Sequence, residues 1–313
     1  MSLLPEIRDR RHYAEIFHQD GIWTPAVQKL AQQLGLQGPL HRGVRSRHIV
    51  YRVGEAWIKL MAPMFAQECA FEVAALKSVQ GRLSVATPKI LDQGENEGWV
   101  YLILSHLPGE RVVDVWNLMS IEEKIQRARQ MAKVTRQIHD CMPQPDLRRR
   151  GEWNSFIRDR RRNLITHHQF KDLGKSWLEA LPRFMSQFSE DEFFTADPVL
   201  VHADLSWDHF LVDPADADRM SGLIAFTDAR MGHPEYDLPL ALVFALKGQR
   251  EALRAYLIEW GIAPADLNER FSEKILAWTC LHLYSDLKAY FGRELESIPG
   301  GDFASLARLV FPL

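Results

Sequence analysis

Cysteine is scarce in this sequence of 313 residues, where only Cys69, Cys141 and Cys280 occur, far apart along the chain. There is no CxxC pair and no Cys/His cluster, which argues against a structural zinc site. A small, odd number of cysteines is typical of a protein kept in a reducing compartment. The sequence therefore predicts a cytoplasmic protein.

Long apolar runs and an excess of one charge are also missing. The longest apolar runs, such as Leu238 to Leu246, are far shorter than the roughly 20 residues that a membrane-spanning helix needs. The first residues are charged and contain no apolar signal core. Lys plus Arg number 38 and Asp plus Glu 41, so the formal net charge is −3. This balance predicts a soluble protein with neither nucleic acid nor membrane as a partner.

What is present is a change of pattern along the chain. Residues 1–35 place apolar side chains at helical spacing, whereas His48 to Leu60 is β-rich with a hairpin turn at Gly54-Glu55. A helix is predicted over Gln67 to Val79, and strands follow up to Leu104. Helices dominate afterwards, beginning with a capping-box sequence at Ser120. The pattern predicts an α+β protein with two lobes and a cleft between them.

The densest group of polar residues lies between two apolar strands, in the segment Val201 to Val212, which reads VHADLSWDHFLV. His202 and Asp204 are two residues apart, and His209 follows five residues after Asp204. This layout is typical of a catalytic loop, which offers a carboxylate to a substrate hydroxyl and a metal ligand a few residues later. Protein kinases use H-R-D-x-x-x-x-N for this purpose. A further β run is predicted from Leu223 to Phe226.

Together these stretches resemble the aminoglycoside phosphotransferase family, the small-molecule branch of the protein-kinase-like fold. Its motifs are H-G-D-L-x-x-x-N, then I-D-F/W-G-D-A, then G-D-P-x-Y-D-L. The matching residues here are His202, Asp204, Leu205, Phe226, Asp228, Ala229, Gly232, Pro234, Tyr236, Asp237 and Leu238. Upstream, residues 42–53 resemble the family's nucleotide-covering turn, residues 57–60 its lysine strand, and residues 72–76 its glutamate helix. The resemblance covers roughly residues 40–245 in the correct order.

The resemblance implies a protein-kinase-like fold with an N-lobe over residues 1–104 and a helical C-lobe over residues 105–313. It implies an enzyme that transfers the γ-phosphoryl group of ATP or GTP to a hydroxyl of a small molecule, with Mg²⁺ as cofactor. Asp204 would accept the hydroxyl proton, and His202 would brace its loop. Asp237 would tie the loop backbone.

The nucleotide would contact residues of both lobes. Lys59 would bind the phosphates and be held by Glu72, which is preferred over its rival Glu68 one helical turn earlier. Because the Lys59 ammonium is expected outside the core, Lys59→Ala should not unfold the protein. Ser46 would cover the phosphates, and the backbone around Ser105 and Leu107 would meet the base.

Two residues depart from the family pattern. His209 stands where the family usually has Asn, and a neutral imidazole can still bind a divalent ion. Ala225 stands at the position of the metal-holding Asp, and Thr227 replaces the Gly that follows. A methyl group cannot bind Mg²⁺. Three explanations remain open: Asp228 reaches the metal instead, the chain is an engineered inactive variant, or it is a natural pseudo-enzyme.

The sequence does not identify the acceptor. Carboxylates that would suit a cationic aminoglycoside are interspersed with Lys and Arg in the C-terminal half, so no acidic cluster stands out. The family also includes kinases of choline, homoserine, sugars and macrolides. Two other functions are compatible with the residues: a catalytically inactive nucleotide-binding pseudokinase or scaffold, and an ATP-dependent kinase with a protein target.

Overall fold

The computed structural model describes residues 4–43, 46–213 and 219–313. Two helices come first, α1 (Arg10–Phe17) and α2 (Asp20–Gln33). Five strands and one helix follow: β1 (Leu40–Arg42), β2 (Ile49–Val53), β3 (Ala56–Met61), α3 (Ala66–Val79), β4 (Ile90–Asn96) and β5 (Trp99–Ser105). The strands form one antiparallel sheet in the order β1-β2-β3-β5-β4.

Two tight turns set the register of this sheet. Gly54, at φ +56°, turns β2 into β3, so that Val53 pairs with Ala56. A β-carbon at Gly54 would lie 2.5 Å from the carbonyl oxygen of Gln37, so only glycine fits there. The turn between β4 and β5 consists of Glu97 and Gly98, both at positive φ. This conformation matches the right-handed twist of paired strands.

The remaining chain is mostly helical. Its elements are β6 (Glu110–Arg111), α4 (Val112–Val115), α5 (Ile121–His139), α6 (Trp153–Arg162), α7 (Leu164–Phe170), α8 (Lys175–Met185), β7 (Val199–Val201), β8 (Phe210–Val212), β9 (Met220–Leu223), β10 (Arg230–Gly232), α9 (Leu238–Ala241), α10 (Arg250–Trp260), α11 (Glu269–Leu281), α12 (Leu287–Ser297) and α13 (Phe303–Val310). A π-helical turn, Leu242–Leu246, follows α9, and short 3₁₀ turns occupy Pro145–Arg150, Phe226–Asp228 and Pro234–Asp237. The α+β prediction is confirmed. Among the described residues, no helix has the length and apolar character that crossing a membrane would require.

The central strands β3 and β5 are largely buried on both faces of the sheet, which positions the site. Ile58 and Leu60 of β3 pack with Trp23 and other residues of the N-terminal helices in one apolar core. Side chains alternate along a strand, so Lys59 points to the opposite face, towards α3. On that face Leu102 and Leu104 of β5 belong to a second core, shared with the C-terminal helices. The cleft therefore lies between the sheet and the helical part.

The β run predicted from Leu223 to Phe226 is wrong in extent. The strand ends at Leu223, and residues 226–228 form a 3₁₀ turn. Ala225 adopts a left-handed conformation, with φ +70° and ψ +54°, which is incompatible with an extended strand. The division between residues 104 and 105 stays a prediction.

Candidate active site

A cavity of about 300 Å³ opens between the sheet and the helical part. Its walls are largely apolar and include Val50, Leu104, Leu211 and Ile224. All five residues predicted to bind the nucleotide also line it, namely Ser46, Lys59, Glu72, Ser105 and Leu107. A cavity with apolar walls and a few polar groups is the usual form of a small-molecule site.

Lys59 and Glu72 form the main charged pair of this cavity. The Lys59 Nζ lies 2.7 Å from Glu72 Oε2, and Lys59 also donates to the Thr227 hydroxyl. Thr227 Oγ1 in turn donates to Glu72 over 2.9 Å. Lys59 is only 8% exposed and Glu72 only 2%. The expectation that the Lys59 ammonium lies outside the core is therefore wrong, because β3 is central in the sheet and α3 covers it.

The rival carboxylate, Glu68, has a different role. One helical turn before Glu72, it lies 2.9 Å from Arg47 Nη2. Lys59 thus pairs with Glu72, as predicted, whereas Glu68 pairs with Arg47 of the loop between β1 and β2. In that loop Val44 and Arg45, part of the predicted nucleotide-covering turn, lie outside the described residues.

Asp204 lies on the loop between β7 and β8, which Asp237 holds in place. The Asp237 carboxylate accepts hydrogen bonds from the backbone N–H groups of His202 and Ala203, at 3.0 and 2.7 Å. His139 Nε2 lies 2.9 Å from the same carboxylate. These contacts support Ala203 at φ +64°, a strained conformation for a residue with a β-carbon. The Asp237 carboxylate therefore fixes the backbone of the loop that carries Asp204.

His202 is buried and braces the loop from inside. Its Nε2 lies 3.1 Å from the carbonyl oxygen of Ile224, which can only accept, so Nε2 carries a proton. Its Nδ1 accepts from the Asp204 N–H at 3.3 Å. Burial lowers the pKa of His202 to about 4, with a further contribution from the charge of nearby His209. His202 is thus a neutral link between the Asp204 loop and the segment that leads to Ala225.

The Asp204 carboxylate has a raised pKa. Burial raises it to about 6, whereas the nearby His209 opposes the rise. The side chain keeps 23% of its exposure, and it lies beside the cavity rather than in its wall. His209 lines the cavity, and its Nδ1 lies 2.7 Å from the Asp204 carbonyl oxygen. Since a carbonyl only accepts, Nδ1 carries a proton, so Nε2 is the ring nitrogen that could bind a cation.

Asp228 does not reach the cavity wall. Its Oδ1 lies 2.9 Å from Arg47 Nη2 and 3.2 Å from Arg150 Nη2, and its Oδ2 accepts from the Tyr284 hydroxyl at 2.6 Å. Burial alone would raise the pKa of Asp228, but the two guanidinium groups and the hydroxyl hold it below its usual value. The prediction that Asp228 holds a metal is not met by this geometry.

The residues present do not fit a Mg²⁺ ion held by the protein in the usual way. Ala225 lines the cavity and offers no ligand, while His209 offers one neutral nitrogen. Asp208 also lines the cavity, but it faces Arg111 at 3.3 Å. Within residues 4–43, 46–213 and 219–313, no group of three or more His, Cys, Asp or Glu side chains could hold a metal.

Several residues of the site had no role predicted from the sequence. Trp57 and His106 line the cavity, and the Trp57 indole donates to His106 Nδ1 over 3.2 Å. Arg47 and Tyr284 meet at Asp228 although 237 positions separate them. Arg47 lies within the predicted nucleotide-covering turn, which assigns it no role of its own, and no motif marks Tyr284. Thr227 carried a signal, because it replaces the family's glycine.

A family model described as the phosphotransferase enzyme family, APH, matches residues 8–270, more than four fifths of the chain. The chain belongs to this family. The phosphotransferase function and the class of enzyme predicted from the motifs agree with this membership, and the family resemblance is confirmed.

Solved structures of family members share the fold of this phosphotransferase. The GDP and kanamycin complex of APH(2")-IIia superposes with a TM-score of 0.67 at 19% identity, covering 90% of this chain and 95% of that one. The streptomycin–ATP ternary complex of APH(2")-IIa gives 0.62 at 18% identity, covering 88% and 96%. APH(3'')-Id from Streptomyces rimosus gives 0.58 at 20% identity, covering 83% and 98%. The protein-kinase-like two-lobe prediction is thereby confirmed.

Proposed function

We propose that the cavity binds a purine nucleoside triphosphate and that Asp204 directs transfer of its γ-phosphoryl group to a hydroxyl of a small molecule. The observation that carries this proposal is the buried Lys59–Glu72 pair in the wall of the cavity whose edge holds the Asp204 loop. A buried ion pair adds little stability compared with apolar residues of the same volume, so its placement at an open cavity favours a ligand-binding role.

The nucleotide base would lie between apolar walls. Val50 comes from the sheet, whereas Leu211 and Ile224 come from the helical part. Within the described residues the N–H of Leu107 makes no hydrogen bond, so it is free to donate to a ring nitrogen. The phosphates would extend towards Lys59 and Ser46. ATP and GTP both satisfy these contacts.

Transfer would proceed by displacement at the γ-phosphorus. The acceptor oxygen bonds to phosphorus, the bond to the β–γ bridging oxygen breaks, and a nucleoside diphosphate leaves. Asp204 would accept the hydroxyl proton. A pKa of about 6 suits this role, because the group is mostly ionised at neutral pH and is a stronger base than an ordinary aspartate. Since Ala225 provides no carboxylate for a metal, slow turnover is expected of this chain.

Slow turnover leaves a nucleotide-binding pseudokinase as the second candidate. The observation that favours it is Ala225 together with the full engagement of Asp228 by Arg47, Arg150 and Tyr284. The two candidates share the nucleotide site and differ only in the chemical step.

The acceptor is proposed only as a small molecule with a hydroxyl group. Three acidic residues of the helical part are already paired: Glu235 with Lys274 at 2.7 Å, Glu294 with Lys247 at 2.9 Å, and Asp286 with Lys171 at 3.4 Å. Paired carboxylates are poor partners for a polycation, so the geometry gives no particular support to an aminoglycoside acceptor.

Asp204→Asn tests the proposed chemistry. The change keeps the shape but removes the base, so the transfer rate should fall about 10²–10⁴-fold while nucleotide affinity is kept. Nucleoside diphosphate release from ATP and GTP would be measured with kanamycin, streptomycin, choline, homoserine and a macrolide, and without acceptor. Nucleotide affinity, measured by calorimetry, is the internal control. An unchanged transfer rate in Asp204→Asn would contradict the role of Asp204, and no binding by the parent would overturn the whole proposal.

A further inference from the structure

Arg47 joins the loop after β1 to two other parts of the molecule. It directly follows Ser46, which lines the cavity. Its Nε donates to Glu68 of α3 at 3.0 Å. Its Nη1 donates to the Tyr284 hydroxyl at 2.6 Å, and its Nη2 to Asp228 at 2.9 Å. One guanidinium group therefore contacts α3 and two segments of the helical part.

These contacts are shielded from water and charged. The side chains of Asp228, Glu68 and Arg47 are 8%, 21% and 34% exposed. Hydrogen bonds with a charged partner are about twice as strong as neutral ones, and partial burial protects them from screening by salt. The arrangement is thus stronger than an exposed surface ion pair.

The Asp228 end of the contact is fixed from a second direction. Arg150 donates to the carbonyl oxygens of Thr227 and Ala229 and lies 3.2 Å from Asp228 Oδ1. Its guanidinium carbon is 5.0 Å from the ring centre of Phe71 on α3. Because Arg150 fixes the 226–229 turn, the ion pair between Asp228 and Arg47 determines the position of Arg47 rather than that of the turn.

Ala225, three residues before Asp228, lies in the cavity wall with Ser46. A carboxylate at this position could have shared a cation with the phosphates and so linked the helical part to the nucleotide, but a methyl group cannot. We propose that Arg47 is a positioning residue that clamps residues 46–48 onto the helical part through Asp228 and Tyr284, and that these contacts keep Ser46 at the cavity wall in place of the link that Ala225 cannot make. The reference to phosphates rests on the proposed function.

Amide hydrogen exchange of the full chain without nucleotide tests the clamp directly. Two amides report on the loop, because Gly43 N–H donates to the Val50 carbonyl at 2.8 Å and His48 N–H to the Ser46 hydroxyl at 3.1 Å. In Arg47→Met these amides should exchange at least about tenfold faster, which corresponds to about 1.4 kcal/mol. Arg52→Met is the matched control, since Arg52 is equally exposed and, among the described residues, its hydrogen bonds and ion pair stay within its own hairpin.

Nucleotide dissociation, followed with a fluorescent ATP analogue in stopped flow, is the second readout. Arg47→Met should release it at least about tenfold faster, and Tyr284→Phe, which loses one hydroxyl and keeps the ring, should show a smaller effect in the same direction. Tyr284→Phe also keeps the test decisive if Arg47→Met does not fold. A merely structural Arg47 would lower the melting temperature without changing dissociation.

The clamp is overturned if the Gly43 and His48 amides exchange at the same rate in Arg47→Met as in Arg52→Met. If Arg47→Met does not fold, the same comparison is made with Tyr284→Phe. If the parent fails to bind nucleotide, the proposed function fails, but the exchange measurement still decides on the clamp. If the parent binds and dissociation is the same in all variants, the clamp is wrong and the proposed function stands.

Discussion

Ala225→Asp separates slow catalysis from a defect elsewhere in the site. Ala225 has φ +70°, a left-handed conformation that costs an alanine about 1–2 kcal/mol and that Asp and Asn adopt more readily. The backbone is therefore already suited to an aspartate. Ala225 also shares the cavity wall with His209 and Lys59, so a new carboxylate would lie among the polar groups of the site.

The expected gain is in the binding of the Mg²⁺–nucleotide complex. One added carboxylate in the cavity wall that also holds His209 should raise Mg²⁺-dependent nucleotide affinity at least about tenfold, or about 1.4 kcal/mol, and raise turnover in parallel. The parent should show weak dependence on Mg²⁺. Calorimetry with and without Mg²⁺ measures the affinity, and nucleoside diphosphate release measures the rate.

Ala225→Asn is the matched control for the backbone. It relieves the same strain and has nearly the same shape, but it lacks the negative charge. Both variants should gain about 1 kcal/mol of unfolding free energy, whereas only Ala225→Asp should gain Mg²⁺-dependent affinity. If the parent already hydrolyses nucleotide briskly and Ala225→Asp changes nothing, another residue supplies the ligand and the reasoning about Ala225 is wrong.

Two further predictions concern buried ionisable groups. Lys59→Met should weaken nucleotide binding and also lower the free energy of unfolding by about 3 kcal/mol, because Glu72 is left unpaired; adding Glu72→Gln should restore stability but not binding. Equal stability of parent and Lys59→Met in urea would contradict this. His168 is fully buried, and burial lowers its pKa from 6.5 to about 4, so the unfolded chain takes up its proton first as the pH falls. The free energy of unfolding should therefore fall below pH 6.5, and His168 alone should account for about 2 kcal/mol of this fall at pH 5. Urea unfolding at pH 7.5 and pH 5 measures the fall, which should be smaller in His168→Gln. An identical fall in both proteins would refute the role of His168.

Local patterns predicted the elements that local physics determines. The capping box at Ser120 is present, with Ser120 accepting from Glu123 N–H and Glu123 accepting from Ser120 N–H. The hairpin turn at Gly54 and the α3 helix are also confirmed. Each of these depends on residues within a few positions of one another, so the sequence alone carries the signal.

Contacts between distant segments were beyond such reasoning. The burial of Lys59 depends in part on Thr227, which lies 168 positions later in the chain. The role of Asp228 depends on its contacts with Arg47, Arg150 and Tyr284. Nothing in the motif around Asp228 indicates that two guanidinium groups and a hydroxyl would bind its carboxylate. Spacing places a carboxylate near a site, whereas its freedom to bind a metal is decided by the charges that pack around it.

Binding and catalysis rest on different parts of this site. A buried ion pair adds little stability compared with apolar residues of the same volume, so stability alone is a weak reason for Lys59 and Glu72 to occupy the core. Their position in the wall of a cavity is better explained by the phosphates they would hold. The carboxylate missing at Ala225 should affect the chemical step and the Mg²⁺-dependent part of nucleotide affinity, but not the contacts of Lys59. Nucleotide binding is therefore the better supported part of the proposal. Whether or not turnover is detected, nucleotide binding should persist in Asp204→Asn and be weakened in Lys59→Met.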